Sequence, residues 1–391
     1  MTFGSVTRAV LATAILAVAA AYVALGARVP WDFETYYYAA SAFRSHLNPY
    51  SLDALSRLAG KNIELPFLYP PVTLGLFAPF TLMPLSVASY AWLGLKLILL
   101  LPLGWIWKRF FLPTTNPAVL VATTLLGFNL ALLWDLRTGN VAVLEASLLW
   151  FGFALYVRNR PVPAGCLVSI GSVFKLIPAL LLGLLVMEPR SRIRWTALVM
   201  SLALLVAIVT VPSNLSAEWR SALTAASSVP RPTGDINPSA LGVADWITTG
   251  RELPPSVGPL LALLVYIIYC AAVLIVSLAA VLRSRASGSR AEQVVMVVLL
   301  WLLLSPRVMV YSYIMAIVPV LYAIETRILS RVGRGMAVLL VISQGVVRLL
   351  PGQSPSQLAP LSLLILIGAW AFMLRSPRTA AVPQPPPIRC T

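Results

Sequence analysis

Apolar runs of about 15–25 residues recur along most of the 391-residue chain, separated by short polar connections rich in Pro, Gly and Arg. Runs of that length, at helical rise, match the hydrocarbon thickness of a bilayer. The pattern predicts an all-α polytopic membrane protein. The first run covers 9–26, and others follow at 86–107, 117–134, 140–157, 163–187, 195–212, 258–282, 292–306, 308–324, 335–350 and 359–374. Arg8 gives the first run the basic approach of a secretory signal. Its cleavage site is weak and more hydrophobic segments follow, so it reads as a retained span.

Composition sharpens this picture. Hydrophobic residues make up 59% of the chain and charged residues 11%, with mean hydropathy +0.87. Ordinary globular domains carry about 25% charged residues, so there is too little polar surface here for water on all sides. A soluble enzyme, a nucleic-acid binder and a secreted disulfide scaffold are excluded. The net charge of +16 is topological: more than half of the 29 basic residues fall in short clusters between spans. Such clusters mark the cytoplasmic side. They sit at Arg8, Lys108/Arg109, Arg158/Arg160, Arg190/Arg192/Arg194, Arg283/Arg285/Arg290, Arg327/Arg331/Arg334 and Arg375/Arg378/Arg389.

Parity then fixes local architecture. Residues 27–85 leave the first span on the outer side, and one crossing at 86–107 reaches the cytoplasmic Lys108/Arg109. The stretch 67–85 carries Pro70, Pro71, Pro79 and Pro84, which deny a continuous span. It reads as an interfacial or partly embedded helix in the first outer loop. The run 163–187 has basic clusters on both sides and so needs an even number of crossings. Two arms of about 12 residues reach only ~18 Å each against a core of ~30 Å. A broken pair of short helices turning near Lys175 and Pro178 is expected, which is tolerated only beside protein or a water-filled cavity. The count is about 12 transmembrane helices, two of them short, with both termini cytoplasmic. They form one transmembrane domain over 1–379. Outer loops 27–85 and 213–257 cap the active site, and the Pro-rich tail 380–391 is disordered.

The chemical inventory is narrow. Cys166, Cys270 and Cys390 are isolated and His46 is the only histidine. A zinc site and a His-based triad are excluded, and no metal or cofactor is expected. Most of the 13 carboxylates fall on the outer side, where the chemistry belongs. Asp32 follows the first span among Trp31, Phe33 and Tyr36, a setting that desolvates a carboxylate and suits it to general-base work. Lys175, at the helix break, demands a counter-anion, which a phosphate headgroup supplies. Arg307 and Tyr311 form an outer hairpin able to hold phosphate oxygens. Asp135 and Asn140 close a polar knot between two spans. Lys96 and Glu145, each inside a span, are expected to pair with one another.

Several segments carry a further signal: Asp32-Phe-Glu-Thr-Tyr-Tyr-Tyr, Asn48-Pro-Tyr50, Phe67-Leu-Tyr-Pro-Pro71, Thr138-Gly-Asn-Val141, Phe174-Lys-Leu-Ile-Pro178, Asn237-Pro-Ser-Ala-Leu241 and Ser305-Pro-Arg307. In order and spacing the chain resembles glycosyltransferase family 87, the polyprenyl-phosphate-mannose-dependent mannosyltransferases of the GT-C membrane fold. The resemblance implies a lipid-linked sugar donor, a lipid or glycolipid acceptor, and transfer at the extracytoplasmic face of the cell membrane. It implies that Asp32 is the catalytic base and that Lys175 lies near the donor phosphate. Many members carry histidines after the Ser-Pro pair, where this chain has Arg307, Tyr311 and Tyr313. Mannose is the leading sugar and arabinofuranose the alternative.

The expected reaction is therefore an inverting single displacement. Asp32 acts as base, and Lys175, Arg307 and Tyr311 hold the donor phosphate. Glu34, Tyr36, Tyr69, Asp135, Asn140 and Asn237 are assigned to substrate contact. A transporter or flippase of lipid-linked sugars is the rival. It would need charges through the middle of several spans, and only Lys96 and Glu145 lie within spans.

Overall fold

Inside a bilayer no water satisfies backbone N–H and C=O groups, so spanning segments bond internally as helices. The computed structural model describes residues 20, 23–24, 30–210, 215–227, 237–249, 257–287, 289–328, 330–349 and 359–375, and among them every regular element is helical. The expected first span at 9–26 (apart from residues 20, 23 and 24), the tail 380–391 and parts of the loop 213–257 lie outside the described residues.

The segment expected to form the first outer loop contains α1 (Trp31–Arg44) and α2 (Leu52–Ala59). The Ser51 side chain caps α2 at its start and Gly60, in the left-handed region, ends it. A helical stretch α3 (Pro71–Leu82) occupies the place of the expected interfacial helix. It is three short linked pieces, two of them 3-10 turns. Its prolines remove donors and prevent a regular α-helix.

The span α4 (Leu85–Phe111) turns Trp92, Lys96 and Leu103 inward and leaves Leu97, Ile98 and Leu101 exposed for lipid. Next come α5 (Pro117–Thr138), α6 (Ala142–Val157), α7 (Pro161–Ser172), the 3-10 helix α8 (Ile177–Met187) and α9 (Ser191–Thr210). Asn116 caps α5 and Pro117 occupies its first turn. The expected 117–134 span is not one straight rod. Gly127 leaves the helical region and Phe128, Asn129 and Leu130 take positive φ, so two helical pieces meet at a left-handed turn. That turn is buried, with the helix Arg331–Leu349 packed along α5, which is where irregular backbone is permitted at membrane depth.

The break predicted within 163–187 is present. α7 ends at Ser172, residues 173–176 turn, and Leu176 takes φ +58° before α8 begins. α7 packs closely on α9, and a Cβ on Gly165 would come within 2.1 Å of Ser201 Oγ. Small residues allow such approach where lipid offers no hydrophobic drive for helix association.

The described parts of 213–257 contain two helices, α10 (Ser216–Ser227) and α11 (Ala240–Thr249), the latter packed on α12 (Val257–Ser287). The bundle is completed by α13 (Arg290–Leu304), a 3-10 segment (Val310–Ala316) leading into α14 (Ile317–Arg327), α15 (Arg331–Leu349) and α16 (Ala359–Leu374). Among the described residues five helices are long and apolar enough to cross a membrane, and shorter apolar helices accompany them. Two cores result. The larger joins α5–α8 to α13–α16. The smaller is aromatic, built from Phe33, Tyr36, Phe67, Phe77 and Trp92, and packs α1 and α3 against α4.

Candidate active site

Asp32 stands in the first turn of α1. Its carboxylate is half-buried, and Asn140 Nδ2 donates to Oδ2 at 2.9 Å. Burial pushes its pKa up, opposed by hydrogen bonds from the Asn140 and Thr138 side chains. A carboxylate desolvated but still bound by neutral donors is a stronger base than one in water.

Asn140 is the hub. The same Nδ2 also donates to Tyr36 Oη at 3.2 Å, and Tyr36 Oη lies 2.9 Å from Tyr69 Oη. Its own Oδ1 is buried and takes no hydrogen bond among the described residues. An amide acceptor left open beside a base is a ready partner for a substrate hydroxyl.

What holds Asn140 is the turn 135–142, and this turn rests on a buried ion pair. Lys96 Nζ lies 3.0 Å from Asp135 Oδ2, with both side chains fully buried. It donates as well to the carbonyls of Asp135 (2.6 Å) and Asn140 (3.3 Å). Asp135 Oδ1 accepts from the Ala142 N–H at 2.9 Å, and Trp92 Nε1 donates to the Gly139 carbonyl at 2.8 Å. Lys96 therefore pairs with Asp135, not with Glu145 as expected. The turn after α5 crosses over the face of α4 that carries Lys96, which places Asp135 closer. Asp135 has both oxygens engaged beneath the site.

Gly139 makes the fit possible. It has φ +77°, and a Cβ there would stand 2.5 Å from Phe33 Cβ. Only a residue without a side chain lets α1 settle on this turn. Phe33 then stacks on Trp92 with centroids 5.6 Å apart, which locks the start of α1 and so Asp32.

The second part of the site gathers at the break after α7. Lys175 Nζ lies 2.6 Å from Glu145 Oε2, donates to Ser312 Oγ at 3.3 Å and sits 4.9 Å from the Tyr311 ring centroid. Glu145 is the counter-anion of Lys175. The two parts meet through aromatic rings: Tyr69 packs edge-on against Phe174 at 6.0 Å, and Tyr311 lies within electrostatic reach of Asp32, Tyr69, Glu145 and Arg307.

Arg307 is exposed on the loop between α13 and the 3-10 segment. Asn237 holds that loop from the side, its Oδ1 accepting from the Val308 N–H at 2.9 Å. Ser239 Oγ donates to the Pro306 carbonyl, and Tyr313 Oη to the Pro238 carbonyl. Asn237 is thus part of a clasp. Glu34, two residues after Asp32, points to the other side of α1 and pairs with Lys61 at 2.9 Å.

The structure joins Asp32, Tyr36, Tyr69 and Asn140 in one hydrogen-bonded chain. It sets Lys175 and Tyr311 beside them, Asp135 below, and Glu34 on the opposite face. Sequence reasoning missed the part Glu145 plays for Lys175, and that of Trp92 and Thr138. The Thr138-Gly-Asn140 triplet was the available signal for the last. Among the described residues no three His, Cys, Asp or Glu side chains converge as a metal site would need.

A model of the family described as glycosyltransferase family 87 matches residues 67–306, more than half of the chain. Tyr69, Asp135, Asn140, Lys175 and Asn237 fall inside the match; Asp32, Glu34, Tyr36, Arg307 and Tyr311 fall outside it. No curated protein and no solved structure matches.

Proposed function

The chain belongs to glycosyltransferase family 87 and is a multi-pass membrane glycosyltransferase, and on that premise we propose that it moves a sugar from a polyprenyl-phosphate donor to a hydroxyl of a lipid-linked or glycolipid acceptor. In this reading the fold is of the GT-C type, and the sugar is mannose, with arabinofuranose as the alternative. The reaction takes place on the extracytoplasmic face. The observation that carries it is the half-buried Asp32 carboxylate, bound by Asn140 and neighboured by an aromatic wall that leads to Lys175.

In the proposed step the acceptor hydroxyl gives its proton to Asp32 while its oxygen forms a bond to the anomeric carbon. The bond from that carbon to the phosphate oxygen breaks on the opposite face, and the electron pair leaves with the polyprenyl phosphate. The anomeric configuration inverts, and one base with no covalent intermediate is sufficient. The departing phosphate carries negative charge, which Lys175 and Arg307 stabilise electrostatically. An ammonium has three donors. Lys175 commits two of them, to Glu145 and Ser312, which leaves one for a phosphate oxygen. Tyr311, Tyr36, Tyr69 and the open Oδ1 of Asn140 serve the headgroup and the sugar hydroxyls.

The test is Asp32→Asn in membranes supplied with radiolabelled polyprenyl-phosphate mannose and, in parallel, the arabinofuranose donor. Loss of a general base costs about 10²–10⁴-fold in rate. Transfer at the wild-type rate by the variant would remove Asp32 from the mechanism. Transport of intact donor by that variant, with no transfer by either protein, would favour the flippase reading.

A further inference from the structure

At the break after α7 a carboxylate stands where the proposed step needs none. Lys175 Nζ, the cation assigned to the donor phosphate, lies 2.6 Å from Glu145 Oε2. A carboxylate at that distance weakens a lysine for any other anion. Glu145 comes from the first turn of α6, and its side chain is 5% exposed against 19% for Lys175. The lysine is thus the more open of the two and the carboxylate the deeper partner. Two neutral groups lie beside the lysine: Ser312 Oγ accepts from Nζ at 3.3 Å, and the Tyr311 ring centroid is 4.9 Å away.

The two phosphates of the proposed reaction differ in charge. The donor is a phosphodiester with one negative charge. When the bond from the anomeric carbon breaks, the electron pair stays on the phosphate oxygen and a monoester departs. A monoester carries about 1.5–2 negative charges near neutral pH, since its second pKa is about 6. A cation alone holds that product more tightly than the donor, and slow product release then limits turnover. We propose that Glu145 offsets this difference: its charge behind Lys175 penalises the phosphomonoester more than the phosphodiester, and so favours donor over product. The assignment rests on the glycosyltransferase reading for the identity of the two phosphates.

The geometry gives the effect its size. Two oxygens bound by different hydrogens of one ammonium, each at hydrogen-bond length, stand about 4–5 Å apart. At an effective dielectric of about 20, one added charge at that distance from Glu145 lowers affinity by more than about tenfold. Burial of Glu145 limits screening by salt. Asp135 also faces Glu145, from the turn after α5, but is tied to Lys96. Tyr69 and Tyr311 face it from the aromatic wall, and Arg307 lies within reach of Tyr311. A counter-anion that only steadies a buried lysine is the plain structural role, and its loss would treat both phosphates alike. Gln at 145 separates the two roles, because its amide oxygen still accepts from Lys175 while the charge is gone.

The experiment measures binding of citronellyl phosphate and of its methyl diester to full-length protein in phosphatidylcholine nanodiscs by calorimetry. The pH is set to about 5 and to about 8, on either side of the monoester's second pKa. Glu145→Gln is expected to raise the monoester-to-diester affinity ratio at least tenfold over wild type at the higher pH. At the lower pH, where most of each phosphate carries one charge, the ratio should change little. In transfer assays the variant should be inhibited more strongly by the monoester, with the donor KM not raised. Glu145→Ala, which removes the oxygen as well, should move the ratio in the same direction, and thermal unfolding reports any loss of fold. A ratio unchanged in both variants, or monoester and diester weakened alike, would overturn the proposal. So would wild-type protein that binds neither phosphate. An unchanged ratio, with transfer still abolished by Asp32→Asn, removes the Glu145 assignment and leaves the transferase reading standing. A ratio that shifts as expected in a protein that transfers no sugar supports the charge discrimination and removes the transferase reading.

Discussion

Asn140→Ala is the substitution that most directly probes how the base is set. In the structure Asp32 is pushed toward the protonated form by burial and pulled back by hydrogen bonds from Asn140 and Thr138. The Asn140 bond is 2.9 Å long and goes to the charged oxygen. A hydrogen bond to a charged group is worth about 1.5–3 kcal/mol, and 1.36 kcal/mol corresponds to one pKa unit. Removing it takes away the largest of the interactions that hold the Asp32 pKa down, so that pKa is expected to rise. The base works when deprotonated, so activity is lost as pH falls through that pKa. A higher pKa moves the acid limb of the kcat/KM profile to higher pH. The variant should be slow at neutral pH and recover part of its rate in alkaline buffer. Tyr36→Phe is the control: it breaks the Asn140–Tyr36 bond and leaves the Asp32 bond in place, so its acid limb should lie near that of wild type. The assay is transfer from a short-chain polyprenyl-phosphate donor in proteoliposomes, measured across the acid and neutral range. An Asn140→Ala profile lowered equally at every pH, with the limb unmoved, would refute the assignment of Asp32 as the titrating base.

Three other outcomes follow from the packing. Lys96→Met leaves Asp135 buried and unpaired, which costs about 3–5 kcal/mol, and should appear as a large fall in the detergent unfolding temperature; Lys96→Met with Asp135→Asn should regain part of it. Lys175→Met should raise the donor KM and lower stability because Glu145 loses its partner. Adding Glu145→Gln should restore the stability but not the KM, and recovery of both would argue against a phosphate role. Gly139→Ala meets Phe33 and a left-handed backbone that costs about 1–2 kcal/mol before any clash, so thermal unfolding should fall and transfer be lost with it.

The burial of the two ion pairs matters for how these effects combine. Lys96–Asp135 is wholly buried, whereas the Lys175 side chain is 19% exposed. The first pair is scaffold, and screening by salt will not reach it. The second is open to an incoming anion. Salt should therefore affect donor binding and leave the turn 135–142 unaltered.

The amino-acid order by itself determined the class of protein. Apolar runs of bilayer length, basic clusters between them and a single histidine leave few alternatives, because these signals are local and additive along the chain. It also located the break near Lys175, since parity and arm length are arithmetic on the same pattern. Asp32, Tyr36, Tyr69 and Asn140 were legible one by one as polar or aromatic residues in outer connections, and their ordered motifs gave the family. Their union was not. Which carboxylate Lys96 takes depends on how the turn after α5 lies across α4, and no spacing encodes that crossing. The same holds for Glu145 with Lys175 and for the left-handed turn at 128–130. Pairings between distant segments are decided by packing and by the cost of leaving a buried charge alone, and those quantities exist only once the helices have met.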